Sequence, residues 1–414
     1  MLHSVTAFPP SSPPVVEQAV MTFALPHQPG VDPRVQANLV EFVSLRRDIH
    51  QHPELAFKET RTADLIARRL AAWGYEVTMG VGGTGVVGRL TRGSSQRALA
   101  LRADFDALPI HEVGSHDHKS THQGRMHACG HDGHTSILLA AARAIAETGA
   151  FDGTLNLIFQ PAEEIGAGAR RMIDDGLFTR FPVDAIFGLH NWPGLTAGKF
   201  AFVPGPAMAA VDKVLIRVIG RGGHGAAPHE TIDPITTSAH MVTALQTIVS
   251  RNVDPIDSAV VTIASIHGGD AGNVIPEHVD LVLTVRSFRP DVRALLEQRI
   301  VALVSAQAAS LGAKAEIDFR HGFPAVINHS RETAFARSVA LETFGADQIV
   351  DDYRPRTASE DFAYFLEARP GSFIFIGNGE GSPLHSPTYD FNDTVIGPAA
   401  TFWLRLTEQF LSLT

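Results

Sequence analysis

The sequence predicts an α/β fold in which a ferredoxin-like unit interrupts a domain built on a largely parallel sheet. Three observations carry that expectation. Short apolar runs bounded by Gly or Pro alternate with amphipathic segments over residues 36–206, the pattern of strands buried on both faces and the helices that cover them. From 207 to 325 the order becomes β-α-β-β-α-β, the split βαβ arrangement. After Asn328 the alternation of helix and strand resumes, so 36–206 and 326–414 read as one domain and 207–325 as an insertion.

Residues 1–35 hold Pro9, Pro10, Pro13, Pro14, Pro26 and Pro29 and read as a flexible N-terminal arm. Residues 38–50 place Leu39, Phe42, Val43 and Leu45 among charges at helical spacing. His52-Pro53-Glu54 ends that helix, and 59–73 forms a second one closed by Gly74. Strands follow at 75–79, 86–90 and 97–104, the last running into Asp104-Phe105-Asp106. The polar, His-rich stretch 111–125 is a loop. It leads to Met126-His127-Ala128-Cys129-Gly130-His131-Asp132-Gly133-His134, and a helix is expected over 135–147. The run 154–160, between Gly153 and Pro161, is a buried strand, 169–175 a helix and 185–190 another buried strand. In the insertion, strands are expected at 211–219, 259–266, 278–288 and 314–319, with helices at 235–250 and 292–310. A buried strand at 372–376 and a helix at 398–411 complete the chain.

Bulk properties narrow the function classes. A chain of 414 residues with 44% hydrophobic and 19% charged residues is that of a globular protein with two domains. A formal charge of −10 argues against nucleic acid as partner. One cysteine excludes an internal disulfide and fits a reducing compartment. No apolar run approaches the roughly 18 residues of a membrane span, and no cationic start with an apolar run marks a secretory signal. A cytoplasmic protein without a membrane partner is expected.

The chemistry centres on the Cys129 stretch. Thiolate and imidazole are ligands for zinc-like metals, and Gly130 and Gly133 free the backbone to aim Cys129 and His131 at one point. Asp104 and Asp106, Glu163 and Glu164, His190, and the segment with His385 all fall at the ends of expected strands, where open α/β sheets bind ligands. Of two adjacent glutamates at a strand end, one can bind metal while its neighbour holds a water; read alone, the pair is also a solvated acidic turn. Asp106 suits an acceptor behind a ligand imidazole, although a capping or turn aspartate fits as well. His190 alone is equally a satisfied core histidine. Gly220-Arg221-Gly222-Gly223-His224-Gly225 matches G-x-G-x-x-G, but Pro228 and a polar stretch stand where a dinucleotide site needs a helix. That segment reads instead as a loop presenting His224.

With these residues assembled, the sequence resembles the dinuclear metal amidohydrolases of the aminoacylase and carboxypeptidase superfamily, more narrowly the hippurate hydrolase and indoleacetyl-amino-acid hydrolase branch. The blocks are Arg46-Arg47-Asp48-Ile49-His50-Gln51-His52-Pro53-Glu54-Leu55, Leu101-Arg102-Ala103-Asp104-Phe105-Asp106-Ala107-Leu108-Pro109, the Cys129 stretch, Phe159-Gln160-Pro161-Ala162-Glu163-Glu164, Gly188-Leu189-His190 and Ser359-Glu360-Asp361-Phe362, in that order within 36–412. The resemblance implies a metallopeptidase-like catalytic domain with an inserted lid and dimerisation domain. It implies two divalent ions (zinc, manganese, cobalt or nickel) on Cys129, His131, Glu164, His190 and His385, with Glu163 as general base and acid. It further implies substrate contacts from His224, Asn273 and Arg286, with His224 also serving the oxyanion.

The expectation is therefore a metal-dependent amidohydrolase that cleaves the amide of small N-acyl-amino acids, hippurate-like ones included, into a carboxylic acid and an amino acid. Catalytic roles are expected for Glu163, Asp106 and His224, in a homodimer or dimer-based oligomer joined through the lid. The alternatives are an N-acetyl-diaminopimelate deacetylase, a dipeptidase or aminopeptidase of the same superfamily, and, from another class, a catalytically silent metal-dependent binding protein.

Overall fold

The structure, a computed structural model, describes residue 28 and residues 30–413. The chain begins with α1 (Pro33–Gln36), α2 (Leu39–Gln51) and α3 (Thr60–Ala72). Residues 1–27 of the expected arm lie outside the described residues. Its last part departs from the expectation: Val31 and Val35 are buried and the Asp32 carboxylate caps α1 at the Arg34 amide. A residue that can bury apolar surface and cap a turn has no reason to stay loose.

Next come β1 (Glu76–Val81), β2 (Gly85–Arg92), β3 (Ala98–Asp104), α4 (His131–Thr148), β4 (Gly153–Gln160), α5 (Gly168–Asp174), α6 (Leu177–Arg180), β5 (Ala185–Pro193) and β6 (Phe200–Phe202). After the second unit, α9, β15, α10, β16 and α11, defined below, complete an eight-stranded sheet in the order β1-β2-β4-β3-β5-β16-β6-β15. Its centre, β4-β3-β5-β16, is parallel, whereas β1, β2 and β6 run antiparallel to their inner neighbours. The sheet is thus mixed around a parallel core. Every residue of β3 is buried. Leu99, Leu101 and Ala103 face the core under α2, α4 and α11, while Ala98 and Ala100 face the core with Met172 and Phe365. Period-2 alternation between two buried layers is why this strand has no solvent-facing side.

The chain leaves this sheet through β7 (Gly205–Met208) and returns through β14 (Val326–Asn328), which pair antiparallel. Asn328 ties the return: its amide donates to the carbonyls of Val203 and Phe373 and accepts from the Phe373 amide. Between them lie β8 (Ala210–Ile219), β9 (Gly223–His224), α7 (Pro234–Asn252), β10 (Ala259–His267), β11 (Val274–Ile275), β12 (His278–Ser287), α8 (Pro290–Ser310) and β13 (Lys314–His321). The strands form an antiparallel sheet in the order β10-β12-β8-β13, the ferredoxin-like arrangement. On β8, Val214, Ile216 and Val218 are buried beneath Met241 and Leu245 of α7 and Leu296 and Ile300 of α8, while Lys213 and Arg217 are exposed. The remaining elements are α9 (Ser330–Phe344), β15 (Ile349–Val350), α10 (Ala363–Ala368), β16 (Gly371–Gly379) and α11 (Ile396–Phe410). Among the described residues no helix is long and apolar enough to cross a membrane.

Candidate metal centre

The parallel core brings the carboxyl ends of four strands to one edge. β3 ends at Asp104, Glu163 and Glu164 follow β4, His190 sits within β5, and the loop after β16 carries His385. Cys129 and His131 arrive with the first turn of α4, which begins at His131 rather than near 135. Gly130, at φ 93°, caps that helix, and a Cβ there would run into the Asn191 amide and the Tyr389 hydroxyl. Helix geometry then places His131 and His134 on one face, a turn apart.

The donor set fits a cation. His131 gives its Nδ1 proton to the Asp106 carbonyl (2.9 Å), and His190 gives its own to the Asn191 carbonyl (2.6 Å). Both imidazoles therefore turn Nε2 inward, the nitrogen left to bind a cation. His131 Nε2 and Glu164 Oε1 are buried, lack any hydrogen-bond partner, and face each other at 3.8 Å. Cys129 Sγ lies 3.5 Å from His190 Nε2, and His385 Nε2 lies 3.4 Å from Glu164 Oε2. The ligand atoms of Cys129, His131 and His190 fall within 4.8 Å of one another, as do those of Cys129, Glu164 and His385. Two overlapping triads sharing the thiol are what a two-ion site needs. Electrostatics agrees: burial, then Glu164 and Glu163, push the Cys129 thiol well up, a state that a bound cation reverses. Burial pushes His131 down, but Asp104, the Asp106 hydrogen bond and Glu164 outweigh it and hold the imidazole up to about 10. The centre is short of positive charge.

Glu163 and Glu164 face different partners from one turn: Glu164 faces His131, and Glu163 accepts from the Asp361 amide. Ala162 adopts φ 54°, and the Asp106 carboxylate accepts from both following amides, Glu163 N at 3.0 Å and Glu164 N at 3.1 Å. Asp106, expected among the catalytic groups, does not line the cavity. It fixes the turn and stands 3.3 Å from His131 Nδ1. Burial, followed by Glu360 and Glu164, raises the Glu163 carboxyl well above its ordinary value.

Several supporting residues carried no assigned role in the sequence reading. Asp104 accepts from His134 Nδ1 (2.6 Å), and His134 Nε2 accepts from the backbone amide (3.1 Å) and side-chain amide (3.0 Å) of Asn191, so His134 is neutral and turned away from the ligand set. Arg102, fully buried, bonds Gln160 Oε1, Asp104 Oδ2 and Glu360 Oε1 at 2.7–2.8 Å. An arginine inside an otherwise apolar strand is the one signal that could have marked this hub.

A cavity of about 850 Å³ opens over the centre. Cys129, Glu163, Glu164, His190 and His385 line its floor; Trp192, Ile165, Phe323 and Leu384 give apolar walls; Arg286, Lys213 and Arg320 reach it from the four-stranded sheet. Arg286 is half-buried and donates to the Ser359 hydroxyl. His224 and Asn273 stand apart: they lie close together at the two-stranded β9–β11 ribbon, where the Gly225 amide donates to the Asn273 carbonyl (2.8 Å), and both are exposed and outside the cavity.

Comparison with known proteins follows the same lines. The model of peptidase family M20/M25/M40 matches residues 100–409. The chain is 43% identical to a hippurate hydrolase of Campylobacter jejuni over 371 residues, covering 90% of this chain and 97% of that protein. It is 40% identical to an N-acetyl-L-cysteine deacetylase of Bacillus subtilis, covering 90% of this chain and 88% of that one. Among solved structures it is similar to the YXEP protein of Bacillus subtilis, a dinuclear metal-binding peptidase from the M20 family, with TM-score 0.81, 32% identity, and coverage of 92% of this chain and 100% of that chain.

Proposed function

This chain belongs to the peptidase family M20/M25/M40, and from that premise we propose that it hydrolyses the amide bond of N-acyl-amino acids, aromatic acyl groups of the hippurate kind included. It is a metal-dependent amidohydrolase. The observation that carries the reading is the Asp106-held turn, which sets Glu164 against His131 and leaves Glu163 on the cavity floor, held only by the Asp361 amide at 3.4 Å.

Cys129, His131, Glu164, His190 and His385 would hold two divalent ions of the zinc, manganese, cobalt or nickel kind. Such ions supply Lewis acidity, polarising a carbonyl and acidifying water. Glu163 takes the proton of the attacking water and returns it to the amide nitrogen as the C–N bond breaks. Its raised proton affinity favours the first half of that transfer, the uptake of the proton. Arg286 holds the free carboxylate of the amino acid, a match for guanidinium geometry, while Trp192 and Phe323 receive the acyl group. His224 and Asn273, which the family resemblance places at the oxyanion and the carboxylate, reach substrate only if the 207–325 unit closes as a lid or a second copy of the chain presents them.

A panel of hippurate, N-acetyl-amino acids, indoleacetyl-amino acids, N-acetyl-diaminopimelate and dipeptides, scored by released amine, tests the reading. N-acyl-amino acids should be cleaved fastest, and hydrolysis should stop on chelation and return with metal. Turnover of dipeptides alone, or of nothing on reconstitution, would overturn it.

A further inference from the structure

Beside the catalytic centre, and sharing no residue with it, lies a second histidine–carboxylate cluster. His50 on α2 donates Nδ1 to Asp132 Oδ2 (2.8 Å) and turns Nε2 toward Glu112 Oε1 (3.3 Å). His116 Nε2 approaches the same Glu112 oxygen at 2.6 Å, yet the approach is out of line and that buried nitrogen has no hydrogen bond. The other Glu112 oxygen accepts from the Ser120 amide (2.7 Å). The three inward atoms lie within 4.8 Å of one another. Two of the three ligands are braced from behind, as metal ligands are: His50 by a carboxylate and Glu112 by a backbone amide.

We propose that His50, Glu112 and His116 form an additional cation site, taking one divalent ion that accepts nitrogen and oxygen ligands, with zinc, cobalt or nickel the best match. The neighbouring His118–Asp390 pair does not compete for it. Arg46 already serves that side, at 3.1 Å from Asp390 Oδ1 and 3.2 Å from His118 Nε2, and also holds Asp393. Around the cluster stand Glu112, Asp132, Asp390 and Asp393, against the guanidinium groups of Arg46 and Arg47 and the His50 imidazole, whose Nε2 proton bonds Glu112 and would be displaced by an incoming ion. The surplus negative charge is what a divalent ion neutralises. Two imidazoles and one carboxylate leave a coordination position for water, and the side chain of His116, 18% exposed, gives a route in. Bonds of about 2.0–2.2 Å put tetrahedral ligand atoms about 3.4 Å apart, so His116 must draw back slightly from Glu112, a small movement for a residue on a loop. The bound ion would tie the 112–120 loop to α2 and, through Asp132, to the first turn of α4.

The test is metal stoichiometry. Wild type, His116→Ala, His116→Gln and Glu112→Gln are dialysed against cobalt(II), desalted and assayed for metal per chain, with the cobalt spectrum recorded. Each variant should hold one equivalent less than wild type. The thiolate-to-cobalt absorption from Cys129 should be unchanged, and turnover by His116→Ala should match wild type. Equal metal content in wild type and the His116 variants would overturn the proposal. So would loss of the thiolate band together with the metal, since the missing ion would then belong to the Cys129 centre.

Discussion

The two sheets of this molecule treat charge in opposite ways. In the eight-stranded sheet Arg102, Asp104 and Glu360 are buried within a strand-edge network, and their charges are spent on holding one another and the residues above them. In the four-stranded sheet most charged residues stand on the outer face: Arg217 pairs with Asp280 in solvent, and Lys213 and Arg320 overhang the cavity. Arg286 is drawn halfway in, and Asp212, buried at the start of β8, is held by Arg293 of α8. The difference teaches a division of labour. Chemistry needs groups fixed within tenths of an ångström and shielded from water, so it sits on the sheet buried on both faces. Recognition of a charged substrate tolerates mobile, solvated groups.

That division can be broken by substitution. Glu163→Gln should lower turnover by about 10²–10⁴ while metal content stays constant, whereas Glu164→Gln should lose metal. Metal loss at 163 and retention at 164 would invert the roles assigned to the turn. Arg102→Met should cost about 3–5 kcal/mol in urea unfolding, because it strands Asp104 and Glu360 without a cation. Arg286→Ala should leave metal content alone and remove roughly 10- to 100-fold of the preference for an N-acyl-amino acid over its C-terminal amide. An unchanged preference would place carboxylate recognition off the four-stranded sheet.

Smaller effects sharpen the contrast. Burial pushes His50 down, but Asp132 and Glu112 overcome it and hold the imidazole up to about 9, above the roughly 6.5 of an unfolded chain. A folded-state value raised in this way stabilises fully below about pH 6.5 and is lost as pH rises through about 9. Urea titrations of the metal-free protein should show that loss, and His50→Gln should flatten it. Arg217→Ala, by contrast, removes a solvent-exposed pair and should leave the unfolding midpoint unmoved.

Much of the catalytic edge was legible in the sequence because Asp104, Glu163 and His190 each end an apolar run, and a parallel sheet aligns such ends. The start of α4 was not. Gly133 is a poor helix former, which hides the helix start. Asp132 stands in the first turn, where a carboxylate suits the helix dipole, and Gly133 packs against the Phe391 ring, where a larger residue would clash. The strands β6 and β15 are only three and two residues long, too short to show a period. Arg102 and Asn191 were visible as letters, but their roles depend on partners some 60 to 260 positions away. For His224 and Asn273 the residue types were readable, whereas their distance from the cavity is a property of how two sheets are placed.

Two residues without glycine's freedom hold left-handed backbone at the centre: Ala162 at φ 54°, just before the glutamate pair, and His385 at φ 64°. Each such conformation costs about 1–3 kcal/mol. A search for heat-resistant variants would therefore be drawn to Ala162→Gly, which relieves the strain, and the same change would slacken the turn that tells Glu163 from Glu164. Evolution toward endurance and evolution toward rate pull against each other at this one peptide. A laboratory lineage selected only for survival at high temperature should drift there first and lose turnover as it does.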